Sequence, residues 1–252
     1  FLAVIYAASA DDDWRATATW RKANPNLGVS VKESYLRDQV RKAEESLAYQ
    51  NTFKRLHLNI WTEQATRAID MERWQTGDAL VDVEALRGRR CYAGLDLAST
   101  TDIAAVVLLF PPAAEDEPYW IVPRFWIPAE NIAARARRDH VPYDTWAQRG
   151  LIETTEGNVI DYDVIRERIR EDGDRFDIRE IAFDRWGAVQ LTTQLQGDGF
   201  TVVPIGQGFY GMAAATKEFL SLVAAGRLAH GGHQVLRWMA SSLSVKQDAA
   251  GN

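Results

Sequence analysis

Two aspartates stand where strand sequences do not ordinarily carry acid. In "YAGLDLASTTDIAAVVLLF" (92–110), Asp96 alternates with Tyr92 and Gly94 on one strand face, while Ala93, Leu95 and Leu97 take the other. In "REIAFDRWGA" (179–188), Asp184 shares a face with Ala182, opposite Ile181 and Phe183. Each acid follows a small residue by two positions and closes its strand, the end at which open α/β sheets bind ligands. A carboxylate that loses water without a partner is costly, so something must compensate it. If the two strands are neighbours, the carboxylates converge and their repulsion calls for a cation. An oxygen-only pair suits Mg²⁺ or Mn²⁺, whereas zinc would want His or Cys. Taken singly, each acid has a plainer role. Asp184 could cap the helix starting near Gly187, and Asp96 could accept backbone N–H groups from "AST". The shared placement favours a metal.

The elements that must position these acids follow from periodicity. Strands are expected at 91–97, 103–110 and 119–126, with "PPAAEDEP" as the turn between the last two. Short turns make these three antiparallel neighbours. Pro123 in the third predicts an edge or a bulge. Helices follow near 129–139 and 143–149, then a short strand at 151–154. "DYDVIRERIRED" reads as a helix capped by Asp161, with Ile165 and Ile169 turned inward. After the strand at 179–184 come a helix (187–196), a strand (200–205), a helix ended by Gly226, and a short helix at 234–240. The result is an α/β fold: a mixed sheet flanked by helices, in which 91–97 and 179–184 lie side by side and parallel.

The N-terminal part differs. Phe1–Ala7 reads as a buried strand, and Ser30 with Glu33 as a capping box opening a helix with Leu36, Val40, Ala43 and Leu47 inward. "NTFKRLHLNIWTE" continues helical, with Phe53, Leu56 and Ile60 on one side and His57 packed or at the surface. The polar "TGD" at 76–78 marks a boundary. The expected organisation is a small helical linker region over 1–78 and an α/β domain over 79–252.

Composition removes several classes of function. With 252 residues, 46% hydrophobic and 25% charged, the chain can bury a real core. Cys91 is its only cysteine, which leaves no intrachain disulfide and argues against structural zinc. No apolar run reaches the length of a membrane span. The formal charge of −6 argues against a passive nucleic-acid binder. Local basic clusters, "RGRR" (87–90) and "RARRD" (135–139), read either as solvated surface or as phosphate contacts.

At these residues the sequence resembles a family. The stretches at 92–110 and 181–188, with "LAHGGHQVLRWMASSLSVKQDAAGN", look like the nuclease domain of the large terminase subunit of tailed bacteriophages. "WRKANPNLGVS" (20–30) and "FKRLHLNIWTE" (53–63) resemble the segment before that domain. The resemblance implies an RNase H-like fold and two-metal, Mg²⁺- or Mn²⁺-dependent cleavage of concatemeric viral DNA during genome packaging. It makes Asp96 the first metal ligand and Asp184 the second. Asp102 matches a recurrent acid of the first motif, with a turn role as its alternative. The family's third carboxylate follows the "AGN" stretch on a helix, beyond Asn252. Asp248 is the one nearby substitute, so impaired cleavage by this chain alone is the expectation. His230 and His233, in a Gly-rich turn, read as solvent-facing or as approaching a phosphate.

The resemblance also implies that Phe1–Ala7 ends an ATPase domain and that the chain is part of a longer protein. No G-x-x-x-x-G-K-[ST] loop occurs here, so ATP would belong to that other domain. Implied partners are double-stranded viral DNA, the terminase small subunit and the portal protein. The implied place is the host bacterial cytoplasm, transiently at the procapsid portal. Two other readings stay open at this point: an actin-like ATPase or sugar kinase, and a non-catalytic docking module of a packaging complex.

Overall fold

The computed structural model describes residues 4–45, 47–61, 68–98, 102–130, 132–184 and 189–244. The chain divides into two compact units, one centred on Phe1–Asp70 and the other on Met71–Met239.

The first unit is helical, with α1 (Thr17–Ala23), α2 (Glu33–Glu45) and α3 (Leu47–Leu58). Leu36, Val40 and Ala43 recur at helical spacing on α2 and bury one stripe against Trp14, Trp20 and Phe53. Trp20 satisfies its indole N–H on the Trp14 carbonyl at 2.8 Å. His57 packs between the rings of Tyr35 and Phe53, as its sequence context suggested.

Three expectations here are corrected. Residues 4–8 form no strand, and Val4, Ile5 and Tyr6 are exposed. Ser30 is not the cap of α2, because a turn closed by the Leu27–Val31 bridge occupies it and the helix starts three residues later. Leu56 faces solvent, and α3 ends at Leu58 rather than running on, since Asn59 takes a left-handed conformation (φ 52°). Residues 1–3, and the side chain of Leu47, lie outside what is described.

The second unit opens with α4 (Met71–Gln75) and continues β1 (Arg90–Asp96), β2 (Ala104–Phe110) and β3 (Tyr119–Pro128). Then come α5 (Ile132–Asp139), α6 (Tyr143–Gln148), β4 (Glu153–Thr155), α7 (Tyr162–Arg175) and β5 (Asp177–Asp184). The remainder is α8 (Val189–Gly197), β6 (Val202–Ile205), α9 (Phe209–Ala224), β7 (Leu228–Ala229) and α10 (Gln234–Ser242). The sheet order is β4-β3-β2-β1-β5-β6, with β7 also paired to β3. β1 is antiparallel to β2 and parallel to β5, as periodicity predicted. This is the expected α/β, RNase H-like mixed sheet flanked by helices.

Pro123 is placed by physics, not at an outer edge. β7 pairs with Tyr119 and Trp120, and β4 pairs from Trp126 onward. Pro123 falls in the gap between them, where its missing N–H leaves no ladder bond unmade.

The sheet's two faces are covered unequally. On one face Ile165 and Ile169 of α7 and Leu191 and Leu195 of α8 pack on Ala93, Leu95, Val106 and Leu108. Asp161 caps α7 as expected, accepting the Asp163 N–H at 2.9 Å. On the other face α5, α6 and α10 cover only the β3 side, with Tyr143, Trp146 and Val235 against Phe125 and Ile127. Over β1 that same face is open: Tyr92, Gly94 and Asp96 are exposed.

Candidate metal centre

β1 alternates without interruption, burying Cys91, Ala93 and Leu95 while Tyr92, Gly94 and Asp96 look outward. Central strands with both neighbours present have no freedom to slip, since a one-residue shift would expose the whole buried set. The parallel register to β5 pairs Gly94 with Ala182 and Leu95 with Phe183. Continued by one residue past its last pair, Leu95–Phe183, that register would set Asp96 opposite Asp184. Neighbouring strands lie ~4.8 Å apart, and both acids fall on the open face by alternation. Gly94 keeps the ground before Asp96 clear, since a Cβ built there would meet nothing within 4 Å.

Electrostatics agree with this placement. The Asp96 carboxyl is pushed above the usual carboxylate range by loss of hydration, then by the charges of Asp184 and Asp102. The two neighbouring charges show that Asp184 and Asp102 each lie within electrostatic reach of Asp96. Asp184 is half-buried, and Asp102 is exposed just before β2. Among the described residues, no group of three or more His, Cys, Asp or Glu is gathered closely enough to hold a metal by itself. The structure therefore brings together the Asp96–Asp184 pair, with Asp102 nearby but outside a tight cage. Asp248 lies outside the described residues.

Other candidates take different roles. His230 does not face solvent or a phosphate site. It is 2% exposed, stacked on Trp74 with ring centres 4.1 Å apart, its Nε2 2.9 Å from the Trp74 carbonyl. Burial holds its imidazole below the ordinary histidine range. His233 is likewise held down by burial, then by Arg124, beside the Phe125 ring. The Gly-rich turn is thus a structural corner, since Gly231 and Gly232 both have positive φ.

In both basic clusters most arginines are exposed, as the solvated reading expects (Arg87, Arg90, Arg137 and Arg138), with Arg135 and Arg89 as exceptions. Arg135 is buried over the Tyr143 ring, and Arg138 pairs with Asp139. Arg87 pairs with Glu84, and Arg89 grips Glu117, whose carboxyl it helps hold down at about 2.

Sequence reasoning missed one contact at this site. Tyr162, the first residue of α7, donates its phenol O–H to the Ala98 carbonyl at 3.1 Å. Its only signal was an aromatic directly after the cap residue in "DYD".

With this geometry established, comparison with known proteins is decisive. The whole chain, residues 1–252, matches the family described as terminase large subunit, endonuclease domain. The chain belongs to that family. It is 34% identical over 251 residues to the terminase large subunit of Enterobacteria phage HK97, covering 98% of this chain and 49% of that protein. It is 28% identical over 242 residues to Protein YmfN of Escherichia coli K12, covering 93% of this chain and 53% of that protein. The chain thus spans about half the length of these relatives. The crystal structure of the HK97 bacteriophage large terminase superposes with a TM-score of 0.66 at 35% identity, over 98% of this chain and 51% of that one. Among the described residues no helix is long and apolar enough to cross a membrane.

Proposed function

We propose that this terminase nuclease domain hydrolyses phosphodiester bonds of double-stranded viral DNA, with Asp96 and Asp184 as its central ligands to Mg²⁺ or Mn²⁺. The observation carrying this reading is the parallel β1–β5 register, paired through Leu95–Phe183, whose next step would bring the Asp96 and Asp184 carboxylates into line. The donor chemistry fits a hard divalent ion. Both acids offer only oxygen, and the Asp96 carboxyl is raised by loss of hydration, then by the charges of Asp184 and Asp102. Cys91, a softer donor, is buried on the opposite face. A bound ion pair would activate water and stabilise the leaving oxygen.

The chain's own residues supply the rest. The parallel strands point the carboxylates to one face, and Gly94 and Ala182 leave room for a phosphate to approach them. Asp102, whose charge already acts on Asp96, is one candidate further ligand, with Asp248 the alternative. In this reading residues 1–78 form the linker region and the tail of the ATPase domain, 79–252 form the nuclease, and ATP acts only in the other domain. The terminase small subunit and the portal are the partners, and the setting is the host bacterial cytoplasm, transiently at the procapsid portal.

The test is plasmid cleavage with Mn²⁺ or Mg²⁺ by the longer protein carrying Asp96→Asn or Asp184→Asn. Both variants should fold and lose cleavage. Near-normal nicking by either one would refute the assignment.

A further inference from the structure

We propose that Tyr162 is a positioning residue for this carboxylate pair, holding the chain immediately past Asp96 through its phenol. The inference rests on the reading of Asp96 and Asp184 given above. The ladder from β1 to β2 ends at the Asp96–Ala105 pair, and that from β1 to β5 is last paired at Leu95–Phe183. Asp96 is therefore the final residue that the sheet itself places, and its backbone is restrained from one side only at that point. Two residues on, the Ala98 carbonyl accepts the Tyr162 O–H at 3.1 Å. The Tyr162 ring packs on the same core as Leu97 and Ala98, so the contact joins side-chain packing to a directed bond.

Tyr162 can act as a fixed post because α7 is anchored along its length. Asp161 caps it, and Ile165 and Ile169 are fully buried. Arg166 forks onto Asp198 at 2.6 and 2.7 Å. Asp172, 1% exposed, takes a bidentate bond from Arg124 at 2.9 and 3.2 Å. A helix held at four points transmits its position to the one strand end that the sheet leaves loose. The phenol holds this end without adding a charge of its own beside Asp96.

The experiment uses Tyr162→Phe, which keeps the ring and removes only the O–H, beside the parent chain and Asp96→Asn. Hydrogen exchange is read at the amides of Leu97 and Ala98 against those of α7, and Mn²⁺ affinity is read by electron paramagnetic resonance. Tyr162→Phe should speed exchange at the strand end, leave α7 unchanged, and weaken Mn²⁺ binding by ~10-fold, the lower range for groups that orient metal ligands. In the cleavage-competent longer protein it should lower kcat and leave KM for DNA unchanged. Parent-like exchange and Mn²⁺ affinity in Tyr162→Phe, with Mn²⁺ binding lost in Asp96→Asn, would overturn the role of Tyr162 and leave the site standing. Undiminished Mn²⁺ affinity in Asp96→Asn, or none in the parent, would instead overturn the site.

Discussion

Asp172 and Asp96 are acids on opposite sides of one sheet, and the protein treats them in opposite ways. Asp172 is buried and receives a bidentate guanidinium from Arg124. Asp96 is open to solvent, and the charges acting on it are those of Asp184 and Asp102, both of its own sign. A carboxylate that serves the fold is given its cation by the chain. On the function proposed above, Asp96 would instead take its cation from outside the chain. The contrast matches the sheet's coverage: α7 and α8 seal the Asp172 face, while α5, α6 and α10 stop short of β1.

The largest expected effect would break the comparison on the Asp96 side. Asp96→Asn and Asp184→Asn should each reduce cleavage by more than the ~10–100-fold typical of residues that merely orient a ligand. In the absence of metal Asp96→Asn should not lose stability, because it removes a charge whose neighbours Asp184 and Asp102 are of its own sign. Urea unfolding without metal checks the second half. A strongly destabilised Asp96→Asn would show that the acid serves the fold after all.

On the Asp172 side the expectation reverses. Arg124→Ala leaves Asp172 buried without its cation and should destabilise by about 3–5 kcal/mol, read from urea midpoints. Replacing both, Arg124→Met with Asp172→Leu, should recover most of that loss, because no charge is then left stranded. If the double variant is no better than the single one, the cost lies in packing and the pair is not the anchor of α7 proposed here.

What was legible beforehand follows the same division. Strand alternation is local, so the outward placement of Asp96 and Asp184 could be read from "YAGLD" and "IAFD", whereas the adjacency of their strands had to be inferred from the matched placement of the two acids. The two-residue β7 could not, because Leu228 and Ala229 become a strand only by lying beside Tyr119 and Trp120. His230 misleads for a related reason: glycines around a histidine signal a turn, and only the tertiary stack on Trp74 shows that this turn is buried. Arg135 reads as a solvated helix residue until Tyr143 is found beneath it. Val4, Ile5 and Tyr6 have strand-like chemistry but no strand to pair with among the described residues. Local period survives in a single sequence, whereas contacts between distant segments do not.

The smallest effect is a difference in pH dependence between two carboxylates. Glu117 is held at about 2 by Arg89, then by the Ala113 N–H and the Trp120 indole. A carboxyl whose folded value lies below its unfolded one adds stability above the unfolded value, and that gain disappears as pH falls toward the folded one. Glu117 thus supports the fold at neutral pH and releases it between roughly pH 4.5 and 2. Asp96 has the opposite sign. Its folded carboxyl is raised, so the native state holds the proton more tightly, and stability falls as pH climbs from about 4 through the raised value. Adding Mn²⁺ should cancel that fall, since the ion replaces the proton as compensation, and the raised value means protons displace metal at a higher pH than from an ordinary carboxylate. Urea midpoints collected from pH 3 to 7 for the parent, Glu117→Gln and Asp96→Asn would separate the two. Glu117→Gln should lose stability at pH 7 and little at pH 3. Asp96→Asn should lose none at pH 7 and abolish the response to Mn²⁺. A Mn²⁺ response that survives in Asp96→Asn would place the ion elsewhere on the protein.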